Sequence, residues 1–278
     1  CYLEGQYLQN TKVCLDERYG ETHATMSLLF SKEDVERLSV EEMDDIINEK
    51  FRRNEYAWNK EKKIKWDTRG RICHRLEDFC YKCPKCGKEF TMKGVGNQII
   101  CSNCGNGATM DDYYEFHPFD GAVIPESPFD WVEQERMDII KEIRENPDYY
   151  FEDECQIGNL DEYKLVGKNK TSFIVGEGKI RVDHKGMHYK GTRNGEAYEF
   201  SIDYNNLYTL ITEVDSSFFN FYLNGEYFDV FPKHQTVGKF SLLVEEMHRY
   251  HVNIYKNFKW NDYMYEGMEL GIDLKDEE

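Results

Sequence analysis

The chain has 278 residues, 40 % of them hydrophobic and 32 % charged, with a net charge of −18. That length allows two or three cored domains, and the absence of any run near eighteen apolar residues excludes a helical membrane span. The acidity argues against a nucleic-acid partner, because it repels phosphates. Nine cysteines and no secretory signal point to a reducing cytoplasm. The chain opens Cys1-Tyr2, which reads as a fragment of a longer protein, with a lipidated amino-terminal cysteine as the competing reading.

In chain order, Ala24–Phe30 reads as a strand and Ser31 as the cap of a short helix. Ser39-Val40-Glu41-Glu42 is a capping box, in which the serine hydroxyl accepts from the third amide and Glu42 reaches back. The helix it opens carries Val40, Met43, Ile46, Ile47 and Phe51 on one face. Such a stripe is expected to pack against the rest of the protein; its alternative use is a docking face.

Cys83-Pro84-Lys85-Cys86-Gly87 and Cys101-Ser102-Asn103-Cys104-Gly105 form two Cys-x-x-Cys pairs separated by fourteen residues. Paired knuckles at this spacing are the donor set of a tetrahedral zinc site. The expected ligands are Cys83, Cys86, Cys101 and Cys104. The glycine after each pair lets the backbone fold beneath the metal. Residues 88–93 and 97–100 read as two strands around a turn at Gly94-Val95-Gly96, the plan of a zinc ribbon. Four thiolates close the coordination sphere, so the expected Zn2+ is structural and no catalytic residue is assigned. Cys80-Tyr81-Lys82-Cys83 is a second way to begin the first pair; Pro84 and Gly87 favour Cys83/Cys86.

Residues 111–160 hold fifteen acidic residues against three basic ones. Asp111–Ser127 reads as a linker. Ser127-Pro128 opens a helix with Trp131, Val132, Ile139, Ile140 and Ile143 on its apolar side, ending at Asn146-Pro147; its carboxylates are expected to face solvent.

From residue 159 the chain is dense in aromatic and β-branched residues. Strands are expected near 162–167, 171–176, 179–184, 187–192, 196–202, 207–213, 217–223 and 226–231. Asn194-Gly195 and Asn224-Gly225 suit type I′ hairpins. A last helix carries Phe240, Leu243, Met247, Tyr250 and Ile254 on one face. Antiparallel strands followed by one amphipathic helix resemble a pleckstrin-homology or GRAM-like domain, in which the helix plugs an open corner of the strands. Residues 164–193 hold eight basic residues against two acidic ones. Lys164, Lys168, Lys170, Lys179 and Arg181 are therefore candidate contacts for an anionic membrane surface or a partner.

The ribbon segment Tyr81–Phe90, with Cys101–Gly105 behind it, resembles an extension found in some bacterial glycerolipid acyltransferases, relatives of the lysophosphatidate acyltransferases. Gly5-Gln6-Tyr7-Leu8, Ser27–Asp34 and Leu38–Glu42 are similar to the end of such a catalytic domain and its first trailing helices. The resemblance implies an acyltransferase catalytic domain upstream in the same polypeptide, and a chain that is cytoplasmic or peripheral to the inner membrane face. The family's His-x4-Asp motif is missing: Asp78 lies four positions after His74, not five. Gly191-Thr192-Arg193 matches three letters of the family's phosphate-binding motif but follows the ribbon instead of preceding it. This chain alone is thus expected to be inactive. The rival reading is a stand-alone zinc-ribbon adaptor that binds proteins. Glu245-x-x-His248 lacks the second copy that a di-iron site needs; His248 and His251 read as exposed helix residues, and His184 and His188 lack convergent ligands.

The organisation expected from sequence is α+β: a catalytic-domain tail with helices over 1–70, a zinc ribbon over 71–112, and an acidic linker with one helix over 113–158. A β domain over 159–260 and an acidic tail over 261–278 follow.

Overall fold

A computed structural model describes residues 1–11, 16–51, 53–160 and 172–252. The lead-in consists of β1 (Tyr2–Glu4), α1 (Gln6–Gln9), β2 (His23–Thr25), α2 (Lys32–Arg37), α3 (Val40–Phe51) and α4 (Glu55–Lys62). A second layer is a four-stranded antiparallel sheet of β3 (Met92–Val95), β4 (Gln98–Cys101), β5 (Gly107–Met110) and β6 (Phe116–Pro118), in that order. Helix α5 (Pro128–Glu145) leads into the third part. This comprises β7 (Tyr150–Asn159), β8 (Phe173–Asp183), β9 (Gly186–Arg193), β10 (Glu196–Ile202), β11 (Ile211–Thr212), β12 (Phe219–Leu223), β13 (Glu226–Pro232) and the closing helix α6 (Val237–His251). Its strands form one antiparallel sheet in the order β10-β9-β8-β7-β13-β12-β11. The architecture is α+β, and among the described residues no helix is long and apolar enough to cross a membrane.

Local signals explain most of these elements. Ser31 and Ser39 each accept from the amide three residues on, while Asp34 and Glu42 reach back to the serine amides. Ser127 caps α5, with Pro128 in the first turn, where a missing N–H costs nothing. Asn194 and Asn224 take φ of 52° and 53°, the left-handed conformation that a type I′ turn requires. On α6, Phe240, Leu243 and Met247 are fully buried, whereas Tyr250 is 40 % exposed; Ile254 lies outside the described residues.

Several expectations change. The strand expected over 24–30 is limited to β2, which pairs with the three-residue β1, and Met26 and Leu28 are exposed. The α3 stripe packs only in part: Met43, Ile46 and Ile47 are half-buried, Val40 and Phe51 are 67 % and 78 % exposed, and no residue of α3 is fully buried. The ribbon turn falls at Gly96-Asn97, not at Gly94. Gly94 lies inside β3, where a Cβ would strike the Cys73 carbonyl. The segment expected to be a linker carries β6 and, at its end, the central strand β7. Charge hides the alternation of β7: Cys155 and Ile157 point inward, and buried Asp153 is satisfied by His234 and Thr236, while Glu154 pairs with Lys233. The strands expected at 171–176 and 179–184 are one continuous β8, that at 207–213 shrinks to β11, and 162–167 lies outside the described residues.

The parts are joined through shared side chains. Trp131 belongs to the apolar cluster beneath the four-stranded sheet, Ile139 and Ile143 belong to that of the seven-stranded sheet, and Val132 touches both. Phe90 stacks on Tyr81 at 5.3 Å and on Phe151 at 6.0 Å. Gly238 on α6 approaches the Asp78 carbonyl so closely that any side chain would clash. Beside it, the Lys239 ammonium donates to both Glu89 oxygens at 2.8 and 2.7 Å. Arg136 on α5 donates to Glu245 at 3.1 Å and to Glu246 at 2.5 Å on α6.

Candidate metal centre

The two knuckles flank the β3–β4 hairpin in the chain, one before β3 and one from the last residue of β4 onward. Antiparallel pairing of Met92 with Cys101 returns the second knuckle to the first. Within each knuckle the glycine makes the turn: Gly87 and Gly105 adopt φ of 69° and 72°, and their amides donate to the Cys83 and Cys101 carbonyls, both at 2.9 Å. The result gathers the sulfurs of Cys83, Cys86, Cys101 and Cys104 within 4.8 Å of one another. Two separations are decisive: Cys83 Sγ to Cys104 Sγ is 3.7 Å, and Cys86 Sγ to Cys101 Sγ is 3.8 Å. A regular tetrahedron with metal–sulfur arms of about 2.3 Å has edges of about 3.8 Å. The set therefore fits a four-thiolate metal ion by geometry as well as by donor chemistry. Among the described residues it is the one group of three or more metal-capable side chains.

Polar groups around the sulfurs favour the thiolate at Cys86 and Cys101, whereas Cys83 and Cys104 are raised. Thr91 Oγ1 lies 3.2 Å from the Cys101 sulfur, and the side-chain amides of Asn103 and Asn106 donate to Cys86 and Cys83, both at 3.6 Å. Burial raises the Cys101 thiol, but the Thr91 hydroxyl and the amides of Cys104 and Asn103 outweigh it and bring the group to about 6. These outer partners did not emerge from spacing. The signal for Asn103 lies inside the second knuckle itself, and that for Asn106 just after it.

Cys80 is outside the group of four sulfurs, which begins with Cys83/Cys86. It is fully buried, and burial pushes its thiol well above the usual range. Glu135, expected on a solvated face, is only 2 % exposed and accepts from the Lys82 amide at 2.7 Å, while Trp131 donates to the Lys82 carbonyl at 3.0 Å. These bonds tie the first knuckle to α5.

The other candidates do not converge. Lys164, Lys168 and Lys170 lie outside the described residues. Lys179 pairs with Glu152 at 2.9 Å and Arg181 with Asp183 at 3.0 Å, so both charges have carboxylate partners on the same sheet. Within the Gly191-Thr192-Arg193 segment, Arg193 pairs with Glu226 and lies over Tyr198. His248, expected to be exposed, is buried and bonds the Tyr204 carbonyl, since α6 turns that side toward the loop before β11. Glu245 engages Arg136 and Thr209 instead. His184 meets His251 at 3.0 Å, and His188 bonds Asp183 and Ser201.

No family model, curated protein or solved structure matches this chain.

Proposed function

We propose that this chain is a non-catalytic scaffold and docking region, the carboxyl-terminal part of a bacterial glycerolipid acyltransferase-like protein. The observation that carries the reading is the closed four-sulfur set. Zinc held by Cys83, Cys86, Cys101 and Cys104 has no position left for water or substrate, so it supplies a cross-link and no reaction. The cross-link acts on the rest of the molecule through its neighbours. Glu89 and Phe90, between the knuckles, hold Lys239 and stack on Phe151, so fastening the ribbon fastens α6 over the sheet. Seven antiparallel strands followed by a single helix whose apolar stripe covers them support a pleckstrin-homology-type reading, a fold class that offers binding surface. The lead-in and ribbon motifs support the link to the acyltransferases.

The docking surface of this reading is an anionic membrane, met by the lysines of 164–170. Flotation with phosphatidylglycerol vesicles tests it: the zinc-loaded chain, with one zinc per chain by elemental analysis, rises with the vesicles. The Lys168→Glu/Lys170→Glu variant stays behind. Equal flotation of both, or of neither, refutes the membrane role. The exposed apolar side chains at the two ends of α3, Val40 and Phe51, favour a second reading, a protein-binding adaptor. A chain that ignores vesicles but loses a protein partner on Phe51→Asp supports that one.

A further inference from the structure

A cavity of 730 Å³ opens where the lead-in, the ribbon and the α5–α6 pair meet. Sites for small molecules typically occupy about 300–1,000 Å³, are mostly apolar, and form where separately cored parts join. This cavity has those properties. Leu76 and Met110 face it from the ribbon side, Val132 from α5 and Leu242 from α6. Polar side chains also line it, and among the charged ones the positive outnumber the negative: Arg18, Arg53 and Arg136 against Glu55 and Glu245.

Arg18 is the most informative of these. It is 5 % exposed. Its Nη1 donates to Tyr114 OH at 2.8 Å and to Thr11 Oγ1 at 3.2 Å, and its Nη2 to the Ile72 carbonyl at 3.3 Å. Tyr114 is fixed in turn by donating to the Leu8 carbonyl at 2.5 Å. Neutral oxygens of this kind orient the guanidinium while leaving it charged, and arginine does not deprotonate in proteins. Arg53 and Arg136 also line the cavity, with Glu4 and with Glu245 and Glu246 as their carboxylate partners. Among the cavity's carboxyls, Glu55 is raised by burial and held back by the Gly5 amide that donates to it.

We propose that this cavity binds a small amphipathic anion, its apolar body against Leu76, Met110, Val132 and Leu242 and its head group on Arg18. The site is separate from the metal centre and does not depend on what the ribbon or the sheet docks against.

Calorimetric titration of the zinc-loaded chain tests it, with three probes of one chain length below their micelle concentrations: decanoate, decanol and decyltrimethylammonium. Decanoate is expected to bind one per chain, at least about tenfold more tightly than decanol, with no measurable binding of the ammonium, since a charge-assisted hydrogen bond contributes about 1.5–3 kcal/mol. Arg18→Lys should keep the preference for decanoate and Arg18→Gln should lose it. Leu242→Trp, which fills the cavity, should abolish binding of decanoate and decanol alike; circular dichroism reports whether each variant is folded. Equal binding of decanoate and decanol, preference for the ammonium, or no binding to the folded wild-type chain overturns the proposal. Decanoate binding unchanged in folded Leu242→Trp overturns it as well.

Discussion

The ribbon and the seven-stranded sheet solve the same problem by opposite means. Around the knuckles, order depends on four sulfurs and the polar groups arranged about them, together with a smaller apolar cluster that includes Trp66, Met92, Ile99 and Trp131. Around the sheet it is spread over a large apolar cluster, from Ile157 and Ile180 through Phe228 to Phe240 and Met247. A few-ligand design fails all at once, whereas a distributed core loses stability in steps. The two are not independent, because α5, Phe90 and the Lys239–Glu89 pair span both.

The largest test of the contrast is metal removal. Structural zinc contributes about 10–16 kcal/mol apparent in small modules, so a strong chelator or Cys101→Ser should unfold the ribbon. Trp66 and Trp131, both buried in its cluster, should then shift to redder emission, while circular dichroism retains the sheet signal with a lower Tm. Full retention of Tm would break the coupling. Next comes Phe240→Ala, in the centre of the distributed core. It should cost about 3–5 kcal/mol in denaturant titration and leave zinc content at one per chain.

A pH term separates the parts further. Burial raises Asp78 to about 7 despite Arg75 beside it. A carboxyl raised in the fold stabilises it while protonated, so the contribution is complete below about pH 4 and is lost as pH rises through about 7. The urea midpoint of Asp78→Asn should therefore exceed that of the wild type at pH 8, with the advantage shrinking toward pH 5; a constant difference would refute the assignment. Lys239→Met should cost about 2–3 kcal/mol. That is less than the loss of a fully buried partner, because Glu89 keeps a quarter of its side-chain surface. Adding Glu89→Gln should recover most of it. The smallest effect belongs to the lead-in. Ser39→Ala removes a cap that contributes about 1 kcal/mol to its helix. Since α3 buries no residue, amide exchange within α3 should quicken with no change in global Tm.

Signals of one residue or one turn were legible without coordinates. The knuckles, the capping serines at 31, 39 and 127, the two Asn-Gly hairpins and the α6 stripe each encode their element locally, through a hydroxyl, a positive φ or a period of 3.6. Aromatic and β-branched density between turn signals identified β9, β10, β12 and β13 but missed β7, where Glu152, Asp153 and Glu154 hide the apolar positions until His234 and Thr236 are seen to satisfy Asp153. Likewise α3 reads as a packing helix, and nothing in its periodicity tells whether a surface lies opposite.

The sequence alone determined that four cysteines would meet, because two tight turns on one hairpin bring them together whatever surrounds them. Only the tertiary structure decided that Cys80 is left out, that His248 and Glu135 are buried, and that a cavity opens beside Arg18. Those outcomes depend on which distant surfaces close over a residue, and burial, unlike a turn, is not a local property of the chain.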